Sequence, residues 1–200
     1  MEKKFYSQND EQEYIEYYFS NYDNGYFLEI GAFDPKVFSN TRILVEKGWN
    51  GVYVEPSPSC AEKFRIEYEN NPKIELIEAA IGNFDGLGNF YDSQGDAISS
   101  TDLSHKIKWE QGNNVVYKEL EVKFISVETL LKNIKEVDFL NLDVESTNIE
   151  IFNLIPDYFW RRLKMLCIEH DNQYNYIEEK LKIFGFKNIL FNGENLILAK

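Results

Sequence analysis

One stretch of 33 residues, Tyr26 to Pro58, constrains the fold more than any other: YFLEIGAFDPKVFSNTRILVEKGWNGVYVEPSP. Tyr26 to Ile30 is a short apolar, β-branched run, the signal of a buried strand. It ends in Gly31-Ala32, where small residues let a ligand or a helix come close to the backbone. Ser39 can cap a helix running to about Lys47, and Gly48 can end it. Asn50-Gly51 then reads as a turn into a second strand, Val52 to Val54, which ends in Glu55. Strand, glycine turn, helix, strand and acid make a right-handed βαβ unit. An acid at the end of the second strand is where such folds grip ribose hydroxyls.

The turn says which kind of ribose. A dinucleotide fingerprint needs three spaced glycines so that a pyrophosphate can sit on the helix N-terminus. Here Gly31-Ala32-Phe33-Asp34-Pro35 offers one glycine, and an aspartate where a diphosphate would lie. An anionic turn suits a ligand with positive charge and no phosphates. S-adenosylmethionine, with an ammonium, a sulfonium and a ribose for Glu55, fits that description.

The runs FLEIGAFDP, SNT and GWNGVYVEPSP, followed by DFLNLDVES and MLCIEHD, resemble the FkbM-type family of S-adenosylmethionine-dependent methyltransferases. The resemblance spans residues 25–171. It implies a Rossmann-like class I methyltransferase fold: α/β, a mostly parallel sheet, helices on both faces and a C-terminal antiparallel hairpin. It also implies O-methylation of glycans or polyketide-like products. The chain departs from the family's usual pattern at three places. Pro35 stands where glycine is usual and Asn141 where lysine is. Glu145-Ser146-Thr147-Asn148 replaces Glu-Gly-x-Glu.

Length and charge narrow the field further. Two hundred residues suit one domain, 1–200, with a helical segment over 1–24 and an inserted hairpin or lid over 83–125. Thirty-four acids against 21 bases give a net charge of −13, which opposes a nucleic-acid partner. Lys106, Lys108, Arg161, Arg162 and Lys164 could form a local basic patch, but ordinary solvated positions are the favoured reading. Cys60 and Cys167 lack metal spacing, and a reducing, cytoplasmic setting is expected. No apolar region follows Lys3 and Lys4, so no signal peptide is expected, and no run is long enough to span a membrane.

Along the rest of the chain, residues 10–22 put Ile15, Tyr18, Phe19 and Tyr22 on one helical face, which favours core packing over a stacking surface. Ser57-Pro58 starts a helix, and Ile74 to Glu78 is a third strand. Ala79 to Gly82 is either a plain turn or a place where adenine lies on backbone. Residues 83–118 are irregular, with His105 read as a surface histidine or a base. Glu121 to Ile125 and Val137 to Leu142 are strands. Alternation beyond the second of these puts Asp143 and Glu145 on one side. Thr147 and Glu150 form a capping box for the next helix. Met165 to Ile168 is a fifth core strand, and Asn192-Gly193 joins a final hairpin.

In an open α/β sheet the ligand sits beyond the carboxyl ends of the strands. The cofactor contacts expected there are Glu29, Gly31, Ala32, Asp34, Ser39, Asn40, Thr41, Glu55, Pro56, Ser57, Ala80, Ile81 and Asp143. Asp143, Glu145 and His170 are the candidate catalytic residues, with Glu145 or His170 as base for a hydroxyl nucleophile. The alternative is a Mg²⁺ or other divalent site built from Asp143, Glu145, Glu169 and His170, with Asp171 beside them. The expected acceptor is a glycan or small-molecule hydroxyl, met by Ser99, Ser100, Thr101, Asp102 and Trp109 of the insertion. Two other functions compete. One is a binding protein that keeps the cofactor fold without turnover. The other is a nucleotide-dependent sugar oxidoreductase or epimerase, which needs a glycine-rich turn that this chain lacks.

Overall fold

A computed structural model describes residues 4–134 and 136–200; residues 1–3, and with them Lys3, lie outside the described residues. In chain order the elements are α1 (Glu11–Tyr18), β1 (Tyr26–Ile30), α2 (Arg42–Glu46), β2 (Asn50–Val54), α3 (Pro58–Tyr68), β3 (Ile74–Ile77), β4 (Ala80–Gly82) and β5 (Gly86–Asp92). There follow α4 (Leu103–Asn113), β6 (Lys118–Ser126), α5 (Val127–Asn133), β7 (Phe139–Leu142), α6 (Asn148–Leu154) and α7 (Asp157–Arg162). The chain finishes with β8 (Met165–Glu169), α8 (Tyr174–Lys182), β9 (Lys187–Phe191) and β10 (Asn195–Ala199).

Seven strands form the main sheet in the order β3-β2-β1-β7-β8-β10-β9. The first five are parallel, and β10 runs antiparallel to both its neighbours. Strand alternation splits β1 between the two faces. Leu28 and Ile30 join the core under α5, α6 and α8, with Phe152, Trp160 and Ile177. Phe27 joins the opposite core, with Ile15, Phe19, Trp49 and Phe64. Phe19 is fully buried, its ring 4.7 Å from Trp49 and 6.2 Å from Phe139. The N-terminal helix is therefore part of the core, and each such side chain contributes about 1.5–3 kcal/mol. Among the described residues no helix is long and apolar enough to cross a membrane.

Several local expectations are corrected. Asn50-Gly51 is not a turn but the start of β2. Gly51 is required because the Phe27 ring lies over it: a Cβ there would come within 2.1 Å of that ring. Gly51→Ala should lower stability by about 1–3 kcal/mol through overpacking. An unchanged urea midpoint would refute that reading. The capping box does not form, since Thr147 makes no side-chain cap bond. Asn148 holds that corner instead: its Oδ1 accepts the Val144 N–H at 2.8 Å, and its Nδ2 donates to Glu169 at 2.6 Å.

The insertion is more ordered than its glycines suggest. β4, β6 and β5 form a second sheet, with β6 parallel to β4 and antiparallel to β5. Between the hairpin arms runs α4, capped by Asp102, whose Oδ1 accepts the Ser104 N–H at 2.8 Å. The stretch read as a turn or an adenine platform is strand β4, and its Ala80 and Ile81 also face a cleft.

Candidate active site

The carboxyl ends of β1, β2 and β7 meet at Gly31. Its N–H donates to Val54 O at 3.0 Å, and the Asp143 N–H donates to Ile30 O at 2.9 Å, so three strands stay joined past their ends. Gly31 has φ +84°, and a Cβ there would lie 1.6 Å from the Asp143 carbonyl oxygen. Phe33 also has positive φ, at +34°, and its N–H donates to Glu55 Oε2 at 3.1 Å. Glu55 Oε1 accepts the Ser57 N–H at 2.7 Å. Burial pushes the Glu55 carboxyl up to about 7 against these bonds.

Beside this corner lies a cleft of about 550 Å³, counting its open mouth. Its lining is apolar at Pro56, Cys60, Ala80, Ile81 and Phe90 and acidic at Glu55, Asp143 and Glu145, and the insertion contributes Ala97, Ser99 and Thr101. A second cleft, also about 550 Å³, shares Gly31, Phe33, Ala97, Asp143 and Glu145 with the first. Its floor is polar: Glu29, Asn40 and Asn141.

These three side chains form a directional relay. Asn141 Nδ2 donates to Glu29 Oε1 at 3.1 Å, and Asn40 Nδ2 donates to Asn141 Oδ1 at 3.0 Å. Asn40 Oδ1 is left buried without a partner, an acceptor that asks for a donor. Thr41 donates to Glu29 from the other side and also bonds Tyr53 at 2.9 Å. Burial holds the Glu29 carboxyl up at about 8.

Glu29 and Glu55 give the folded chain a pH dependence with a definite sign. Their folded values lie above the ordinary 4.5, so between about 4.5 and 8 the folded state holds protons that the unfolded state has released. That stability is complete below 4.5 and is lost as pH rises through 7 and 8. The slope reaches about 1.4 kcal/mol per pH unit for each such group. The melting temperature of the ligand-free protein should therefore fall from pH 6 to pH 8.5. A flat or rising profile would show both groups charged in the folded state.

Asp143, Glu145, Glu169 and Asp171 gather on the β7 and β8 side. Burial raises all four carboxyls, Glu145 to about 8, and repulsion from neighbouring acids adds to it at Asp143, Glu145 and Glu169. Burial first, then the charge of Glu169, raises the Asp143 carboxyl, and its buried Oδ1 has no partner. The expected metal set is not assembled: among the described residues no group of three His, Cys, Asp or Glu side chains is placed to hold an ion. His170 is a further correction. Its Nδ1 accepts the Asn172 N–H at 3.0 Å and its Nε2 meets Asn192 O at 3.2 Å, so the ring has no free nitrogen for a substrate proton. It lines neither cleft and stacks on Phe191 instead. Asp143 and Glu145 do not share a side by strand alternation either, because β7 ends at Leu142 and Glu145 sits in a left-handed turn at φ +56°.

Other expected residues are placed as follows. Gly31 and Ala32 line the polar cleft, as do Glu29 and Asn40. Asp34 faces away: its Oδ1 accepts the Lys36 and Val37 N–H groups at 2.9 Å each, and Lys63 pairs with it at 3.0 Å. Ser39 caps α2 through the Arg42 N–H at 3.1 Å, and Ser57 donates to Asp92 at 2.9 Å. Neither lines a cleft, and nor do Thr41 and Trp109. Of the basic candidates, Lys106 pairs with Glu119 and Lys164 with Asp138. The sequence reading missed Phe33, Phe38, Gln8 and Asn195, all of which line the polar cleft. Only the positive φ of the two phenylalanines marks that loop as special, and no sequence pattern announces it.

A sheet with one reversed strand near its edge, a glycine corner at β1, an acid after β2 and a cleft over the carboxyl ends are features of the class I methyltransferase fold. The sequence matches the family described as "Methyltransferase FkbM domain" over residues 29–188, and the chain belongs to that family. Its membership implies S-adenosylmethionine as the cofactor and sets aside the oxidoreductase or epimerase reading. Among solved structures, the methyltransferase FkbM from Methylobacillus flagellatus KT superposes with a TM-score of 0.57 at 8% identity, covering 89% of this chain. The chain spans 44% of the length of that protein. Precorrin-6y C5,15-methyltransferase from Geobacter metallireducens GS-15 gives 0.51 at 11% identity, covering 100% of this chain and 92% of that one. These likenesses speak for the fold. No curated protein matches the chain by sequence.

Proposed function

We propose that this chain transfers a methyl group from S-adenosylmethionine to a hydroxyl of a sugar or another uncharged small molecule. The observation that carries the reading is the position of Glu145, which lines both clefts where they join and has its carboxyl near 8. The residues present fit the cofactor. The apolar lining residues Pro56, Ala80 and Ile81 suit adenine, and Glu55 suits the ribose hydroxyls. Gly31, Ala32, Glu29, Asn40 and Asp143 suit the amino-acid end, where the orphaned Asn40 and Asp143 oxygens await donors. When bound, the cofactor supplies an electrophilic methyl on a sulfonium.

The protein then has little chemistry left to do: align the nucleophile and take its proton. Glu145, ionised, accepts the hydroxyl proton. Burial by the Ala97–Thr101 segment keeps competing water out. The acceptor class is argued from charge. No Lys or Arg is among the described residues lining either cleft, and the whole chain carries −13. Such a site disfavours phosphate backbones and anionic sugars. Incubation with methyl-labelled cofactor and a panel of neutral glycans, uronic acids, RNA and protein tests this. Label in neutral hydroxyl compounds is the expected result. Label confined to RNA, protein or anionic sugars overturns the acceptor class, and tight cofactor binding without transfer to anything supports the binding-protein reading instead.

A further inference from the structure

We infer that His105 and Ser100 of the insertion clamp the turn Glu145-Ser146 and thereby fix Glu145 at the junction of the clefts. They are positioning residues for the reaction proposed above, on which the inference rests. Glu145 and Ser146 are consecutive L residues with φ +56° and +76°. Two such residues in a row persist only where the surroundings hold them. The holding contacts come from the insertion. Ser100 Oγ donates to the Glu145 carbonyl at 2.7 Å, and His105 Nδ1 lies 2.7 Å from Ser146 Oγ.

The hydrogen bonds fix the histidine's tautomer. His105 Nε2 lies 3.1 Å from the Ile98 carbonyl, which can only accept, so Nε2 carries the proton. Nδ1 is then bare and accepts the Ser146 hydroxyl hydrogen. His105 Nε2 also lies 3.8 Å from Glu145 Oε2, so the imidazole borders the carboxylate it is proposed to place. Tyr117 adds a second donor to Ile98 O at 2.9 Å. His105 is the one buried residue of α4, and Lys106 beside it ties the helix to β6 through Glu119. The wall of the first cleft, Ala97 to Thr101, is tied by the Ser100 and His105 bonds to the turn that carries Glu145. His105 is not itself a base, because its bare nitrogen is committed to Ser146.

Three variants of the full chain test the clamp: Ser146→Ala, His105→Gln and His105→Asn. Asparagine can place an acceptor oxygen where Nδ1 stood, whereas glutamine keeps only the bond to Ile98. Hydrogen exchange, read on the cofactor-bound protein with no acceptor, should quicken at residues 97–101 and 143–147 in Ser146→Ala. Unchanged exchange there would overturn the clamp. In transfer assays Ser146→Ala and His105→Gln should lose ~10–100-fold in kcat, the usual penalty of a misplaced group, while cofactor affinity holds. His105→Asn should recover most of that loss. Quickened exchange with kcat unchanged would leave a structural tie and overturn the positioning role. Exchange is read without an acceptor, so failure to find one would count against the proposed reaction and not against the clamp.

Discussion

Gly31→Ala should cost about 2–5 kcal/mol of stability and abolish cofactor binding. Two terms add. The φ of +84° is strained for any residue with a Cβ, and the Cβ itself would lie 1.6 Å from the Asp143 carbonyl oxygen. That neighbour is backbone, held by the Asp143 N–H bond to Ile30 O, and cannot swing away as a side chain would. Relief requires β1 and β7 to part at the point where both clefts begin. Gly185→Ala separates the terms, because Gly185 has φ +90° and nothing within 4 Å of its would-be Cβ. It should show the strain alone, about 1–2 kcal/mol. Equal urea midpoints for the two variants would mean that the close approach of the strands contributes nothing.

The same glycine shows what was legible in the sequence. Gly31 after a β-branched run, with Glu55 ending the next strand, announced the βαβ corner because strand period and small-residue turns are local properties. The Asn192-Gly193 hairpin was readable for the same reason. The insertion was readable only in part. A hairpin was expected there, and β5 and β6 pair antiparallel, but its glycines hid the helix α4, which Asp102 caps and whose one buried residue is His105. No hydrophobic period marks a helix whose one buried residue is a histidine. The acids were legible as a group but not in their roles. His170 looked like a base until Asn172 and Asn192 occupied its nitrogens. Asp34 looked like a cofactor contact until two backbone N–H groups and Lys63 claimed it. In each case a tertiary partner, distant or in an unforeseen turn, decided what the side chain could do. The polar cleft was half visible. Glu29 and Asn40 were among the expected cofactor contacts, but Asn141 joins them only when β7 is laid against β1.

Glu145→Gln should lower kcat by ~10²–10⁴-fold, the range for a general base, and leave cofactor binding nearly intact. The acceptor hydroxyl ionises far above neutral pH, so transfer needs a group that can take its proton while ionised itself. With its carboxyl near 8, Glu145 is mostly protonated at pH 7 and ionised at pH 9. The wild-type rate should therefore climb with pH through about 8 and then level, and the glutamine variant should lack that climb. Burial is the first cause of the raised value, followed by the charges of Glu169, Asp171 and Glu194. Glutamine removes one member of this repelling group. The ligand-free variant should then be more stable than the wild type above pH 8, where wild-type Glu145 is charged in a crowded acidic corner, and nearly equal to it at pH 6. Those two signs together separate a base from a merely structural carboxyl. A carboxylate kept for packing would lose stability on substitution, and the rate would follow the loss of folded protein. A base kept at the expense of stability would lose rate while the fold gains. A Glu145→Gln enzyme that turns over at the wild-type rate with the wild-type pH profile would remove Glu145 from the chemistry.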